Sequence, residues 1–439
     1  VKHKQHAYRH RRRSWLWLWL LCVLAATIVY WFAFLGGPAS LYAPNFTPAF
    51  GPTVHAGDVM SVESVKSFNP PEATALIREN YGPAAAPATS SITKVTFRYR
   101  SQLPDGQFVT EFARAYVPDK PLGKLPVFGF APGTTGIGDK CAASLEDVHE
   151  ANWGNYDSHM AAYAAQGYVA VTTDYEGMRD ASRIHHYMVG ELEGRAVLDS
   201  VRALEHIPET TGVARLDQVF LSGYSQGGHA VFWADKIASQ YAPSLKVLGV
   251  VGFGPVMSVE QTLADVTHSA NINWFGPYVL YSYRDYYNQD YNLASILQPY
   301  WVETLSADVP EHCIDSDIPH WGHTAAAVYT PEFLAAAGNG KLAESYPKFY
   351  ADLAKNAVGE DPSSSAKRIN QGDADNVVLP AQAQAALPAL CRSSKGPVQL
   401  ALYPKSTHYD TMVHSFADTL EWMKAVQRGD SLPSSCHQP

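Results

Sequence analysis

Apolar residues in this chain fall into short continuous runs separated by stretches with helical spacing. Residues 125–131, 168–173, 219–221 and 248–253 are strand-length and largely apolar, and each run ends at glycine, proline or polar residues. Between them, 158–166, 192–205 and 229–240 carry helical patterns. Strands that are apolar on both faces must be covered on both faces, so this alternation predicts a mostly parallel sheet flanked by helices. Upstream, 93–101 and 108–116 alternate in strand fashion around Pro104-Asp105-Gly106, which reads as an antiparallel hairpin.

The rhythm breaks over 255–358. Aromatic residues crowd this segment, among them Trp274, Tyr278, Tyr281, Tyr283, Tyr286, Tyr287, Tyr291, Tyr300 and Trp301, and their spacing is helical. It reads as a helical cap inserted between a first core portion at 92–254 and a second at 359–439. The sheet should resume near 366–371 and again at 398–403, with a closing helix over 412–427. The first of these is the least strand-like, since Lys367, Arg368 and Asn370 are polar. Residues 36–91 are rich in Pro, Ala and Gly, with one short helical candidate at 71–80, and read as a linker that wraps the core.

The amino-terminal pattern is different again. A basic flank at 1–13, with Arg9, Arg11, Arg12 and Arg13, precedes the uncharged stretch 14–35. At ~1.5 Å per residue a helix of that length crosses a ~30 Å hydrocarbon layer. The expectation is an anchor with its basic flank in the cytoplasm, or a cleaved secretory signal, and an extracytoplasmic remainder. Cys22 lies in that stretch, leaving Cys141, Cys313, Cys391 and Cys436, an even set with three possible pairings. A Cys391–Cys436 bridge would tie down the polar tail at 431–435. The net charge of -9 argues against nucleic-acid binding.

Candidate chemistry centres on Gly223-Tyr224-Ser225-Gln226-Gly227, which follows an apolar run and leads into a helical pattern. That context makes G-x-S-x-G a nucleophile elbow, with Ser225 exposed at a strand-to-helix turn. A serine hydroxyl needs an imidazole to take its proton and a carboxylate to orient the imidazole. The α/β-hydrolase fold orders these as Ser, acid, His. Asp375, favoured over Asp373, lies in a strand-end loop, and His408 lies between the last strand and last helix, ahead of His414. With 17 histidines in the chain, His408 gains weight from that position alone. Oxyanion donors are expected from the backbone of Gln226 and from the loop Pro132-Gly133-Thr134-Thr135-Gly136, with Thr134 preferred to Thr135. Glu191, Glu193 and Arg195 read as helix-surface or helix-start groups. Asp174 and Arg179 suggest a nearby ion pair, and Tyr175 and Glu176 stand at a strand end beside the site. His312, Cys313, Asp315, Asp317, His320 and His323 cluster locally, but no H-E-x-x-H occurs. Zinc binding is the alternative, but they read first as a disulfide cysteine with surface histidines, so no metal and no cofactor are assigned.

On these motifs the chain resembles the secreted lipases of yeasts and their actinobacterial relatives. The matching segments are 223–230, Asp174-Tyr175-Glu176-Gly177, the 198–203 helix, 371–378, Leu390-Cys391 and Cys436. The resemblance implies an α/β-hydrolase with an inserted cap, an acyl-binding groove, and Ser225, Asp375 and His408 as nucleophile, acid and base. It implies an ester or lipid substrate such as an acylglycerol. The membrane would enter as a partner through residues 14–35 if these are retained. Alternatives are a short-chain carboxylesterase or acyltransferase, an exported aminopeptidase, and a membrane-tethered binding protein without activity. Acyl-chain series, amino-acid arylamides and phosphonate labelling separate them.

Overall fold

Nine strands build one sheet in the computed structural model, which describes residues 54–436 except 120, 122, 148–150 and 270–271. In chain order they are β1 (Val59–Phe68), β2 (Ile92–Gln102), β3 (Phe108–Pro118), β4 (Leu125–Ala131), β5 (Val169–Thr173), β6 (Ala214–Tyr224), β7 (Val247–Phe253), β8 (Ala366–Gly372) and β9 (Val398–Tyr403). Across the sheet they lie as β1-β2-β3-β5-β4-β6-β7-β8-β9. Pairing is antiparallel from β1 to β5 and parallel from β5 to β9. The carboxyl ends of the parallel strands therefore share one rim, where ligands bind in open α/β sheets.

Period-two alternation within the continuous apolar runs feeds two separate cores. Val127, Val169, Val219, Leu221 and Val250 pack with the helices Gly190–Ala203 and Gln226–Tyr241. Phe128, Ala170, Phe220 and Val251 pack on the opposite face with Pro70–Tyr81, Tyr156–Ala165 and Phe416–Arg428. The helices between β7 and β8, from Val259–Asp265 to Pro347–Ala354, form a third core with Trp274, Tyr278, Tyr283, Trp301, Tyr329 and Phe349 inside. Tyr300 of that segment stays exposed.

Two local expectations need correction. Strand β1 lies within the stretch read as a linker. Its Met60, Val62 and Val65 are exposed at the sheet edge, so no buried face imposes a pattern on it. The closing helix is two, Thr411–His414 and Phe416–Arg428. Residues 14–35, expected to be an anchor or signal, lie outside the described residues, as does the basic flank 1–13. Among the described residues no helix is long and apolar enough to cross a membrane.

The polar segment at 366–371 is β8, and it is buried between β7 and β9 along its whole length. Each polar side chain has a partner, which is what allows burial. Lys367 Nζ donates to Ser363 Oγ at 2.6 Å and lies 3.1 Å from Asp235 Oδ2 and 3.5 Å from Asp361 Oδ2. Arg368 donates to Asn370 Oδ1, Gln399 Oε1 and Tyr403 Oη, and Asn370 Nδ2 donates to Thr419 Oγ1. Gln371 Nε2 donates to Asp375 Oδ2 and to Val378 O.

Two disulfides close the fold, Cys141–Cys313 and Cys391–Cys436. The second holds the polar tail, where Ser435 N also donates to Val398 O at the start of β9.

Replacing Lys367 with Met removes the cation from two buried carboxylates. The expected loss is about 3–5 kcal/mol in folding stability, read as a lower denaturant midpoint with an unchanged slope.

Candidate active site

Ser225 stands between the end of β6 and the helix Gln226–Tyr241 with φ 56° and ψ -115°. A non-glycine residue rarely holds a positive φ, so the surrounding contacts must fix it. They do so through backbone alone. Ser225 N donates to Phe253 O at 3.0 Å, and Ser225 O accepts from Val256 N and His229 N. The helix starts so close to β4 that a Cβ on Gly227 would lie 1.9 Å from Ala131 O. Glycine is the residue that fits there.

His408 follows β9 and Asp375 follows β8, and the sheet brings them together. His408 Nδ1 donates to Asp375 Oδ2 at 2.8 Å, with both residues buried. Asp375 also accepts from Val377 N and Val378 N at 2.9 Å each, and from Gln371 Nε2 at 3.0 Å. Four donors hold this carboxylate in one orientation, which leaves His408 Nε2 as the ring nitrogen free for chemistry. The alternatives go elsewhere. Exposed Asp373 accepts from Lys405 N, and His414 Nδ1 faces Ser406 Oγ at 2.6 Å.

Ser225, His408 and Thr134 line one cavity of about 180 Å³, together with Asn152, Trp153, Tyr224, Trp274, Ile314, Asp315, Val377 and Tyr409. Of the segment's aromatics, Trp274 alone reaches this lining. The loop holding Thr134 is fastened at several points. Tyr175 Oη donates to Pro132 O, Gly133 N donates to Tyr156 Oη, and Thr134 Oγ1 hydrogen-bonds Tyr187 Oη at 2.8 Å. Ile314 N donates to Thr135 O at 2.9 Å, one residue beyond the Cys141–Cys313 disulfide. Gln226 contributes the first amide of its helix, one of those a helix leaves without an internal acceptor.

Behind Gln226 lies a buried polar chain that sequence reasoning missed. Gln226 Nε2 donates to Glu193 Oε1 at 2.7 Å and to His185 Nε2 at 3.0 Å. Burial holds His185 below the ordinary histidine range, consistent with a neutral ring that donates from Nδ1 to Glu176 O. Glu193 Oε1 accepts from Met188 N as well. His229 faces Glu193 Oε2 at 2.7 Å and Asn356 O at 2.6 Å and completes the chain. Glu193 thus sits at the helix start, as one of its two readings had it, but buried in the core and not on the helix surface. The available signal was the small residue beside it. Gly194 would place a Cβ 2.8 Å from Ala234 N, and that close helix approach brings Glu193 against Gln226 and His229.

Other expected groups resolve differently. Asp174 accepts from Ser144 N and Oγ, and Arg179 Nη1 reaches that same hydroxyl at 3.0 Å, so Ser144 bridges the two. Glu176 binds Arg183 Nε and His186 Nδ1, both at 2.8 Å, away from Ser225's cavity lining. Cys313 of the histidine-rich segment is in a disulfide.

A Gly-x-Ser-x-Gly turn at the carboxyl rim of a mostly parallel sheet, sharing a cavity with a His–Asp pair from later strands, is the arrangement of the α/β-hydrolase fold. The sequence profile of the secretory lipase family matches residues 155–433, well over half of the chain. The chain belongs to that family. Lipase A of Moesziomyces aphidis is 30% identical over 175 residues, covering 38% of this chain and 36% of that protein. Lipase 1 of Candida albicans is 32% identical over 130 residues, covering 28% and 27%. The chain thus spans about a third of the length of these curated relatives in the matched stretches. Among solved structures, a rice cell wall degrading esterase LipA from Xanthomonas oryzae superposes with a TM-score of 0.67 at 19% identity, covering 84% of this chain and 96% of that one. Candida antarctica lipase A in its closed state gives 0.64 at 19% identity, covering 88% and 86%. These likenesses concern the fold. A secretory family and two disulfides point to a place outside the cytoplasm.

Gly254, with φ +51°, lies under the His408–Asp375 pair, and a Cβ there would stand 3.0 Å from His408 Nδ1 and 3.1 Å from Asp375 Oδ2. Gly254→Ala should therefore slow phosphonate labelling of Ser225 by about tenfold or more, equivalent to ~1.4 kcal/mol on the barrier, with the far-ultraviolet dichroism of the wild type. An unchanged labelling rate would show that the pair tolerates the intrusion.

Proposed function

We propose that this protein is a serine hydrolase that cleaves carboxylic esters of lipids, such as acylglycerols, through an acyl-enzyme. The observation that carries the reading is the shared cavity. Ser225, held at positive φ, lines it beside His408, whose Nδ1 is committed to Asp375.

His408 Nε2 takes the proton from Ser225 Oγ as the oxygen attacks the ester carbonyl carbon. The backbone amides of Gln226 and Thr134 donate to the resulting oxyanion. His408 then returns the proton to the leaving alcohol as the C–O bond breaks, leaving the acyl group on Ser225. Water, deprotonated by His408, repeats the attack and releases the acid. Asp375 stabilises the charged imidazole between these steps. The helical segment at 255–358 acts as a cap, with Trp274 and Ile314 forming an apolar wall for the acyl chain beside Trp153, Tyr224 and Tyr409. The hydrolase region works outside the cytoplasm, with residues 14–35 as its export segment, either retained as an anchor or removed.

One observation favours a short-chain carboxylesterase as the second reading. A cavity of about 180 Å³ is below the ~300–1,000 Å³ of pockets that hold drug-sized ligands, which suits a short acyl chain without movement of the cap.

A fluorophosphonate should label Ser225, as read by mass spectrometry of the modified peptide. Ser225→Ala should abolish the label, and His408→Ala and Asp375→Asn should each lower ester turnover by about 10⁴-fold. A nitrophenyl ester series from acetyl to palmitoyl, with emulsified triglyceride alongside, tests the substrate. An optimum at two to four carbons and no action on the emulsion would reject the lipase reading in favour of the esterase. Label retained in Ser225→Ala would overturn both.

A further inference from the structure

The helices between β7 and β8 hold a second group of chemistry-bearing side chains that ester cleavage does not use. Asp308 ends the helix Pro299–Asp308, His312 follows in the connecting loop, and His320 ends the helix Ile314–His320. One carboxylate oxygen and one nitrogen from each imidazole all lie within 4.8 Å of one another. The two imidazole rings stack, with centroids 3.8 Å apart and planes inclined by 24°.

The polar atoms here are poorly satisfied by the protein itself. His320 Nε2 stands 3.5 Å from Asp308 Oδ1, beyond the usual ~2.7–3.2 Å of a hydrogen bond to nitrogen. Among the described residues, the buried atoms His320 Nε2 and Asp308 Oδ2 find no hydrogen-bond partner of normal length. Such orphaned atoms in a native protein call for an explanation. Bonds of ~2.0–2.1 Å to a tetrahedral zinc ion put neighbouring ligand atoms about 3.3 Å apart. The observed 3.5 Å is close to that edge and long for a hydrogen bond.

Packing agrees with the geometry. Trp301 and Trp321 pack edge-on against the His320 ring, at centroid distances of 5.3 and 5.4 Å. His312 O lies 3.5 Å from Cys141 Sγ, and the next residue, Cys313, is bonded to that cysteine, so the loop carrying His312 is fixed.

We propose that Asp308, His312 and His320 bind one divalent transition-metal ion, with zinc the best match. Two imidazoles and one carboxylate suit zinc, whereas calcium and magnesium favour oxygen-only sets. The ion clamps the ends of two consecutive helices on either side of Ile314 and Asp315, which line the cavity of Ser225. Its role is to order this wall of the cavity, and no step of the ester cleavage passes through it.

The test uses the purified chain, dialysed against a chelator and titrated with zinc chloride by calorimetry, with His312→Ala and Asp308→Asn in parallel. One ion per chain is expected, bound at least tenfold more tightly than in either variant, with a rise of several degrees in Tm on adding zinc that both variants lose. Cobalt(II) in place of zinc should give the intense visible absorption of a tetrahedral site. Equal zinc affinity in wild type and both variants, a Tm indifferent to zinc, or a cobalt spectrum of octahedral intensity would each overturn the proposal.

Discussion

The near-contact between the start of the helix Gln226–Tyr241 and the end of β4 is the constraint on which the site depends. With Gly227 against Ala131 O, the chain has to turn within one residue after β6, and Ser225 takes the positive φ that the turn demands. That strain is held by backbone hydrogen bonds to Phe253, Val256 and His229. A looser turn would bury the hydroxyl in the helix start or swing it off the rim. The same closeness puts the first amide of the helix next in the chain to the hydroxyl, so Ser225 and the Gln226 amide are positioned by one feature.

Around that point the helical segment between β7 and β8 is fixed to the core from two sides. On one, Ile314 N reaches Thr135 O and the Cys141–Cys313 disulfide joins the loop holding Thr134 to the segment's middle. On the other, the buried chain from Gln226 through Glu193 to His229 ends on Asn356 O, just after the helix Pro347–Ala354. Both oxyanion candidates thus lean on the segment that covers them.

β8 shows how a strand that reads as polar becomes central. Its outer portion is held by a lysine against two aspartates and its middle by an arginine among neutral acceptors. Its last polar residue, Gln371, reaches forward to Asp375 Oδ2. The polar character of this strand is therefore continuous with the site, since its final side chain helps orient the carboxylate that orients His408. An apolar strand would pack as well but would leave Asp375 with one donor fewer.

The sequence by itself determined the layered sheet, because continuous apolar runs and helical repeats can be satisfied in few other ways. It also singled out Ser225, Asp375 and His408, whose order and loop positions are local facts of the chain. It did not reveal β1, whose exposed side chains leave no periodic trace, nor the burial of Glu193, which an acidic first-turn residue disguises as a partner of the helix dipole. Those were decided by contacts between segments far apart in the chain. Whether a charged side chain is solvated or buried depends on what another helix brings to it, and hydropathy along one strand carries no record of that.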